Sequence, residues 1–172
     1  MSITHFDNAA ATWDDNPNRV KLMKAVGDAI VRYAGPEKQM YLFDYGCATG
    51  LLSLFLLPHV KSITGADNSP GMLRVLREKI SAAGISGMDA VLLDLEKDPV
   101  PAGRYDMIVV GMAMHHIAQT GKVLAALHTM LKPGGKLCIA DLDTEPGTFH
   151  DPEVEGVHHH GFDRNELAFG LR

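Results

Sequence analysis

Asp44 and Asp67 each close an apolar run. Met40–Phe43 leads into Asp44 and the turn Gly46-Cys47-Ala48-Thr49-Gly50, while Val60–Ala66 leads into Asp67-Asn68. Glycines in such a turn let backbone approach a ligand closely. A carboxylate at the next strand tip can grip ribose hydroxyls through its two acceptor oxygens. This is the layout of a nucleoside-binding crevice in an α/β sheet. His115 and His116 follow a further apolar run, Tyr105–Val110. Imidazole exchanges protons near neutral pH, so a histidine there suits orienting an acceptor molecule or taking its proton. The alternative is that one of the pair packs in the core and the other faces solvent. The run His158-His159-His160 belongs to the chain proper. Three adjacent side chains do not readily converge on one ion, and no carboxylate–histidine zinc motif occurs, so no metal is expected. A loop histidine closing over substrate is the functional alternative.

These residues need strands that end side by side. Met40–Asp44, Val60–Ala66, Met88–Leu93, Tyr105–Val110 and Lys136–Ala140 read as five strands, and the fourth is nearly all apolar, as a strand buried on both faces should be. Between them lie helical patterns. The first starts at Asn16-Pro17 and carries Val20, Met23, Val26, Ile30 and Tyr33 as its apolar face, with Gly35-Pro36 stopping it. A second opens at Thr49 or Gly50 and runs through Leu51–Leu56 to Pro58. A third begins at the cap pair Ser69-Pro70, buries Met72, Leu73, Leu76 and Ile80, and ends at Gly84. Val123, Leu124, Leu127 and Leu131 mark a fourth, ended by the turn Lys132-Pro133-Gly134-Gly135. Asp163 caps a last helix near Glu166. Strands alternating with helices predict a doubly wound, mostly parallel sheet with helices on both faces. Phe6–Asn18 reads as polar and irregular. Thr144–Gly161 is the longest unpatterned stretch, a mobile lid or substrate loop.

The 172 residues suffice for one domain with a sizeable core, and 46% hydrophobic with 22% charged content is ordinary for a globular chain. The expected parts are a cap and helix over 1–36, a cofactor-binding core over 40–141, and a substrate loop with a shortened carboxyl-terminal part over 144–172. A net charge of -5 gives no basic footprint, so no nucleic-acid partner is expected. No apolar run reaches membrane-span length and Met1–His5 has no signal-peptide pattern, so no membrane is expected. Cys47 and Cys138 form no metal-like spacing, and a reduced, cytoplasmic protein is the simplest reading.

With those residues in order, the chain resembles the class I S-adenosylmethionine-dependent methyltransferases of the small-molecule type, from about Phe6 to Phe162. Asp44–Gly50 is similar to the family's first motif, with Ala48 in place of the middle glycine. Asp67–Leu73 resembles its acidic loop after the second strand, Asp94-Leu95-Glu96 its adenine-side motif, and Tyr105–Val109 through His115-His116-Ile117 its fourth. Leu131–Leu137 resembles the turn into the fifth strand. The family's Rossmann-like sheet continues with two more strands, the last antiparallel. Here they are missing after Asp163, so either the chain is a fragment or the edge is completed by another molecule, such as a second copy in a homodimer.

The resemblance implies S-adenosyl-L-methionine as cofactor, S-adenosyl-L-homocysteine as product and a small-molecule acceptor. It also implies the site. Gly46, Cys47, Ala48 and Gly50 give space for the methionine part and ribose, Asp44 acts near the amino group, and Asp67 accepts from both ribose hydroxyls. Asn68 and Met72 flank the adenine. Asp94 accepts from its amino group and the Leu95 amide donates to the ring. Gly111 and Met112 line the cofactor from the fourth strand, and His116 or His115 meets the acceptor. Phe6 and Trp13 form part of a cap, or only anchor the amino-terminal segment. A catalytically inactive S-adenosylmethionine-binding module and a NAD-dependent oxidoreductase are the competing readings. Against the latter, the turn lacks the dinucleotide fingerprint's spacing.

Overall fold

The computed structural model describes residues 3–149 and 156–170. Five parallel strands form one sheet in the order β3-β2-β1-β4-β5. They are β1 (Tyr41–Tyr45), β2 (Ser62–Asp67), β3 (Met88–Leu92), β4 (Tyr105–Gly111) and β5 (Leu131–Ala140). The helices are α1 (Ile3–Ala9), α2 (Pro17–Ala34), α3 (Leu51–Leu56), α4 (Pro70–Ala82), α5 (Thr120–Met130) and α6 (Arg164–Gly170). Short 3-10 turns span Ala10–Asp15, Leu57–His59 and Met114–His116. Strand order reverses between β1 and β4, where open α/β sheets leave a crevice at the strand tips.

Alternation along the strands makes two cores. Phe43, Tyr45, Ile108 and Val110 pack with Val123, Leu127 and Met130 of α5. Leu42, Met107 and Val109 point the other way, onto Ile30 of α2, Leu52 and Leu56 of α3, and Leu73 and Leu76 of α4. Each such side chain contributes roughly 1.5–3 kcal/mol when fully buried. That rigid double-faced core holds the strand tips in place.

Capping follows the sequence closely. Asn16 Oδ1 accepts from the amides of Asn18 and Arg19, Ser69 Oγ from that of Met72, and Asp163 Oδ1 from those of Asn165 and Glu166. Three expectations need correcting. Phe6–Asn18 is not irregular: it contains most of α1, a 3-10 turn and the start of α2. Tyr33 is 78% exposed and Val20 38%, although Met23, Val26 and Ile30 do face the core. The 18 residues of α2 span about 27 Å against about 17 Å for the five residues of β1, so the helix ends overhang the sheet. Finally, the Lys132–Gly135 turn does not separate α5 from β5. It is looped out within β5, between the pairs Tyr105↔Leu131 and Met107↔Lys136.

Of Thr144–Gly161, residues 150–155 lie outside the described residues, as do residues 1–2 of the amino terminus. The two described flanks are tied down. Glu145 carboxylate accepts from the amides of Gly147, Thr148 and Phe149, and its own amide donates to His160 carbonyl. Among the described residues, no helix is long and apolar enough to cross a membrane.

Candidate functional site

A cavity of about 600 Å³ opens at the tips of β1, β2 and β4. Its floor is the loop Gly46–Thr49 with Asp44 and Asp67, and its far wall is Gly111, Met112, Ala113, His115 and His116. The amino-terminal segment covers it with His5, Phe6 and Trp13, and Phe149 reaches it from the carboxyl-terminal loop.

The floor is held by hydrogen bonds to carboxylates. Asp67 Oδ2 accepts from the Ala48 amide at 2.8 Å and Oδ1 from the Ser69 amide at 2.9 Å. Ala48 itself sits in the left-handed region at φ 47°, which costs a non-glycine residue on the order of 1 kcal/mol; its bond to Asp67 holds it there. Met112, across the cavity, is likewise left-handed at φ 56°, and its amide donates to Ala140 carbonyl at 2.7 Å. Asp44 is 1% exposed and accepts from Ser53 Oγ at 2.5 Å.

Both floor carboxyls are driven toward neutrality. Burial pushes Asp44 up to about 7, against the bond from Ser53 and with help from nearby Asp67. Burial also raises Asp67, opposed by the amides of Ser69, Ala48 and Asn68. Among the described residues, no lysine or arginine forms an ion pair with either. A cationic ligand would relieve both.

The cover is latched by two further acids that sequence reasoning missed. Asp7 Oδ1 accepts from Ser69 Oγ at 2.5 Å and the Gly71 amide at 2.7 Å, tying α1 to the start of α4. Asp14 accepts from Thr49 Oγ1 at 2.6 Å and forms an ion pair with Lys79, whose Nζ also donates to Thr49 carbonyl. The Phe6 ring meets Trp13 and His116 edge-on at 5.6 and 5.1 Å, and the Arg19 guanidinium lies 3.6 Å from the Trp13 ring centroid. Such pairs, 35 to 64 residues apart, leave no local pattern to read.

The structure therefore brings together Asp44, Gly46, Cys47, Ala48, Asp67, Met72, Gly111, Met112, His115 and His116 around one cavity. Gly50, Asn68, Asp94 and Leu95 do not line it. Gly50 caps α3 at φ 83°, and a Cβ there would sit 2.4 Å from Leu76, so packing by itself already demands the glycine. Leu95 is 1% exposed and its amide donates to Tyr45 Oη at 3.1 Å. Asp94 is engaged by its own turn: Oδ1 accepts from the Glu96 amide and Oδ2 from Lys97. Burial works to raise Asp94, but those bonds outweigh it and hold the carboxyl low. Asn68 Oδ1 is buried without a hydrogen-bond partner among the described residues. The histidine run is used for attachment. The amides of His158 and His159 donate to His115 carbonyl, and His159 Nε2 lies 2.9 Å from Ile117 carbonyl.

Residues 42–135 match the family model described as a methyltransferase domain. The chain belongs to the methyltransferase domain family. An uncharacterised methyltransferase of Schizosaccharomyces pombe is 27% identical across 93% of this chain and 72% of its own length. The ubiquinone biosynthesis O-methyltransferase of Marinobacter nauticus is 26% identical over 86% of this chain and 64% of its own length. Against demethylmenaquinone methyltransferases the chain spans about half the relative, 46%. Among solved structures, an S-adenosylmethionine-dependent methyltransferase from Aquifex aeolicus superposes with a TM-score of 0.76 at 18% identity, covering 99% of this chain and 86% of that one. As a methyltransferase domain the chain has S-adenosylmethionine as its cofactor, and the oxidoreductase reading falls away.

Proposed function

We propose that this methyltransferase domain carries a methyl group from S-adenosylmethionine to a small-molecule acceptor within the 600 Å³ cavity. The observation that supports it best is the pair of buried, cation-free carboxylates at the tips of β1 and β2. The residues fit the cofactor. Asp44 would receive its ammonium group and Asp67 its ribose diol, because the amides of Ala48 and Ser69 leave acceptor capacity on the Asp67 carboxylate. Bound there, the cofactor supplies an already activated methyl group.

The chain's own part is then to bind, align and exclude water. Phe6, Trp13 and Phe149 close the cavity, with the Asp7 and Asp14 latches holding the cover. Alignment of this kind can supply about 7–11 kcal/mol in favourable cases. His116 and His115 would orient the acceptor. The relatives' names cover ubiquinone and menaquinone biosynthesis and a malonyl-(acyl-carrier protein), so family membership leaves the acceptor open. We take 1–172 as one unit: cap 1–36, core 40–141 and substrate loop 144–172. The second reading is a binding module without transfer. Calorimetric titration with S-adenosylhomocysteine tests the site. A radiolabelled methyl-transfer screen over small hydroxyl, amine and thiol compounds then separates enzyme from binder. Binding without label transfer would favour the module.

A further inference from the structure

We propose that Ser53 is a positioning residue for the cofactor: its hydroxyl holds one oxygen of Asp44 and leaves the other to meet the ligand's ammonium group. Alternation along β1 puts Asp44 on the same face as Leu42, which packs with Leu52 and Leu56 of α3. Ser53 belongs to that same short helix and reaches the acid directly, Ser53 Oγ donating to Asp44 Oδ2 at 2.5 Å. Ser53 is 0% exposed and Asp44 1%. Asp44 lines the cavity whereas Ser53 does not, so the hydroxyl acts on a ligand only through the carboxyl.

The two floor acids are held by different means. Asp67 takes backbone amides, from Ala48 and Ser69, which no side-chain substitution deletes. Among the described residues, Asp44 takes a side-chain hydroxyl instead. A buried carboxyl without fixed donors turns about its Cβ–Cγ bond and keeps its proton. The Ser53 bond opposes both. It pins Oδ2 toward α3, and it favours the ionised form against the burial that pushes Asp44 up. A serine kept only to fill its place in α3 would leave the titration of the acid alone.

The other titratable groups of this space are Asp67 of β2, Cys47 of the loop after β1, Arg19 of α2, His5 of α1, and His115 and His116 after β4. Nearby Asp67 also raises Asp44, and burial pushes the Cys47 thiol up, so that it stays neutral. Removing the Ser53 hydroxyl alters none of these side chains, so a difference between wild type and a Ser53 variant reports on Asp44. The contact with the cofactor rests on the methyl-transfer reading, whereas the link between hydroxyl and carboxyl does not.

Carbon-13 NMR of the side-chain carboxyls of the ligand-free protein between pH 5 and 9 tests the link, with Asp44→Asn assigning the signal. The wild-type carboxyl should titrate at about 7. Ser53→Ala should raise that midpoint by about one pH unit or more, because a hydrogen bond to a charged group is lost. Ser53→Cys, close in volume but only a weak donor, should move it the same way. Calorimetric titration with S-adenosylhomocysteine at pH 6 should then find Ser53→Ala binding about tenfold more weakly than the wild type, the gap narrowing by pH 8.5 as both carboxyls ionise. An unmoved midpoint in a folded variant would overturn the proposal, whatever the melting temperature does. If neither variant folds, the wild type decides: the Ser53 β-carbon should titrate together with the Asp44 carboxyl, and a Ser53 signal constant across the range would overturn the link. A raised midpoint with unaltered affinity at pH 6 would overturn the cofactor contact. Failure of the wild type to bind S-adenosylhomocysteine at any pH would sink the methyl-transfer reading and leave the link standing.

Discussion

Binding of S-adenosylhomocysteine should expel a proton from Asp44. In the ligand-free protein burial holds this carboxyl at about 7, with no basic side chain among the described residues in an ion pair with it. An ammonium group placed beside it reverses the balance and favours the ionised form. If the bound carboxyl is fully ionised at pH 6, linkage gives about 0.9 proton released there and about 0.5 at pH 7, with affinity about fivefold weaker at pH 6 than at pH 7. The ligand's own ammonium stays charged across that range. Calorimetric titration at pH 6 in two buffers of different ionisation enthalpy reads the proton directly, as a difference in apparent heat. The same group acts on stability. Between the ordinary carboxylate range and pH 7, the unfolded chain gives up a proton that the folded chain keeps. The ligand-free protein therefore loses stability as pH rises through that window, and Asp44→Asn should remove the loss. Equal heats in both buffers together with a flat affinity would refute the reasoning.

Asp67→Ala should weaken S-adenosylhomocysteine binding by at least tenfold, since hydrogen bonds to a charged group contribute about 1.5–3 kcal/mol; unchanged affinity by calorimetry would reject the ribose assignment. His116→Ala should lower turnover more than cofactor affinity, and wild-type turnover would return His116 to packing against Phe6. Gly50→Ala should destabilise the fold by more than about 1 kcal/mol, because left-handed backbone and the Leu76 contact both oppose a Cβ. Thermal melting measures it, and an unchanged midpoint would contradict the packing role.

The sheet, its strand tips and most of the cavity floor were legible because they follow local rules. Asp44 and Asp67 end apolar runs, and Asn16, Ser69 and Asp163 stand where helix starts need caps. What stayed hidden depends on tertiary approach. Asp7 reads as one polar residue among many until α1 meets the start of α4, and Asp141 reads as a strand end until it meets His115, 26 residues away in sequence. The same holds for the approach of Tyr45 to the Leu95 amide and of Leu76 to Gly50, which join atoms far apart in the chain. A motif gives the loop's position, and the neighbours determine which of its groups remain available.

A co-crystal structure with S-adenosylhomocysteine tests the central claim most directly. The account requires the sugar diol against the side chain of Asp67 and the amino group beside Asp44, beneath Phe6 and Trp13. A nucleoside bound elsewhere, or lying in the cavity with its diol directed away from β2, would contradict it.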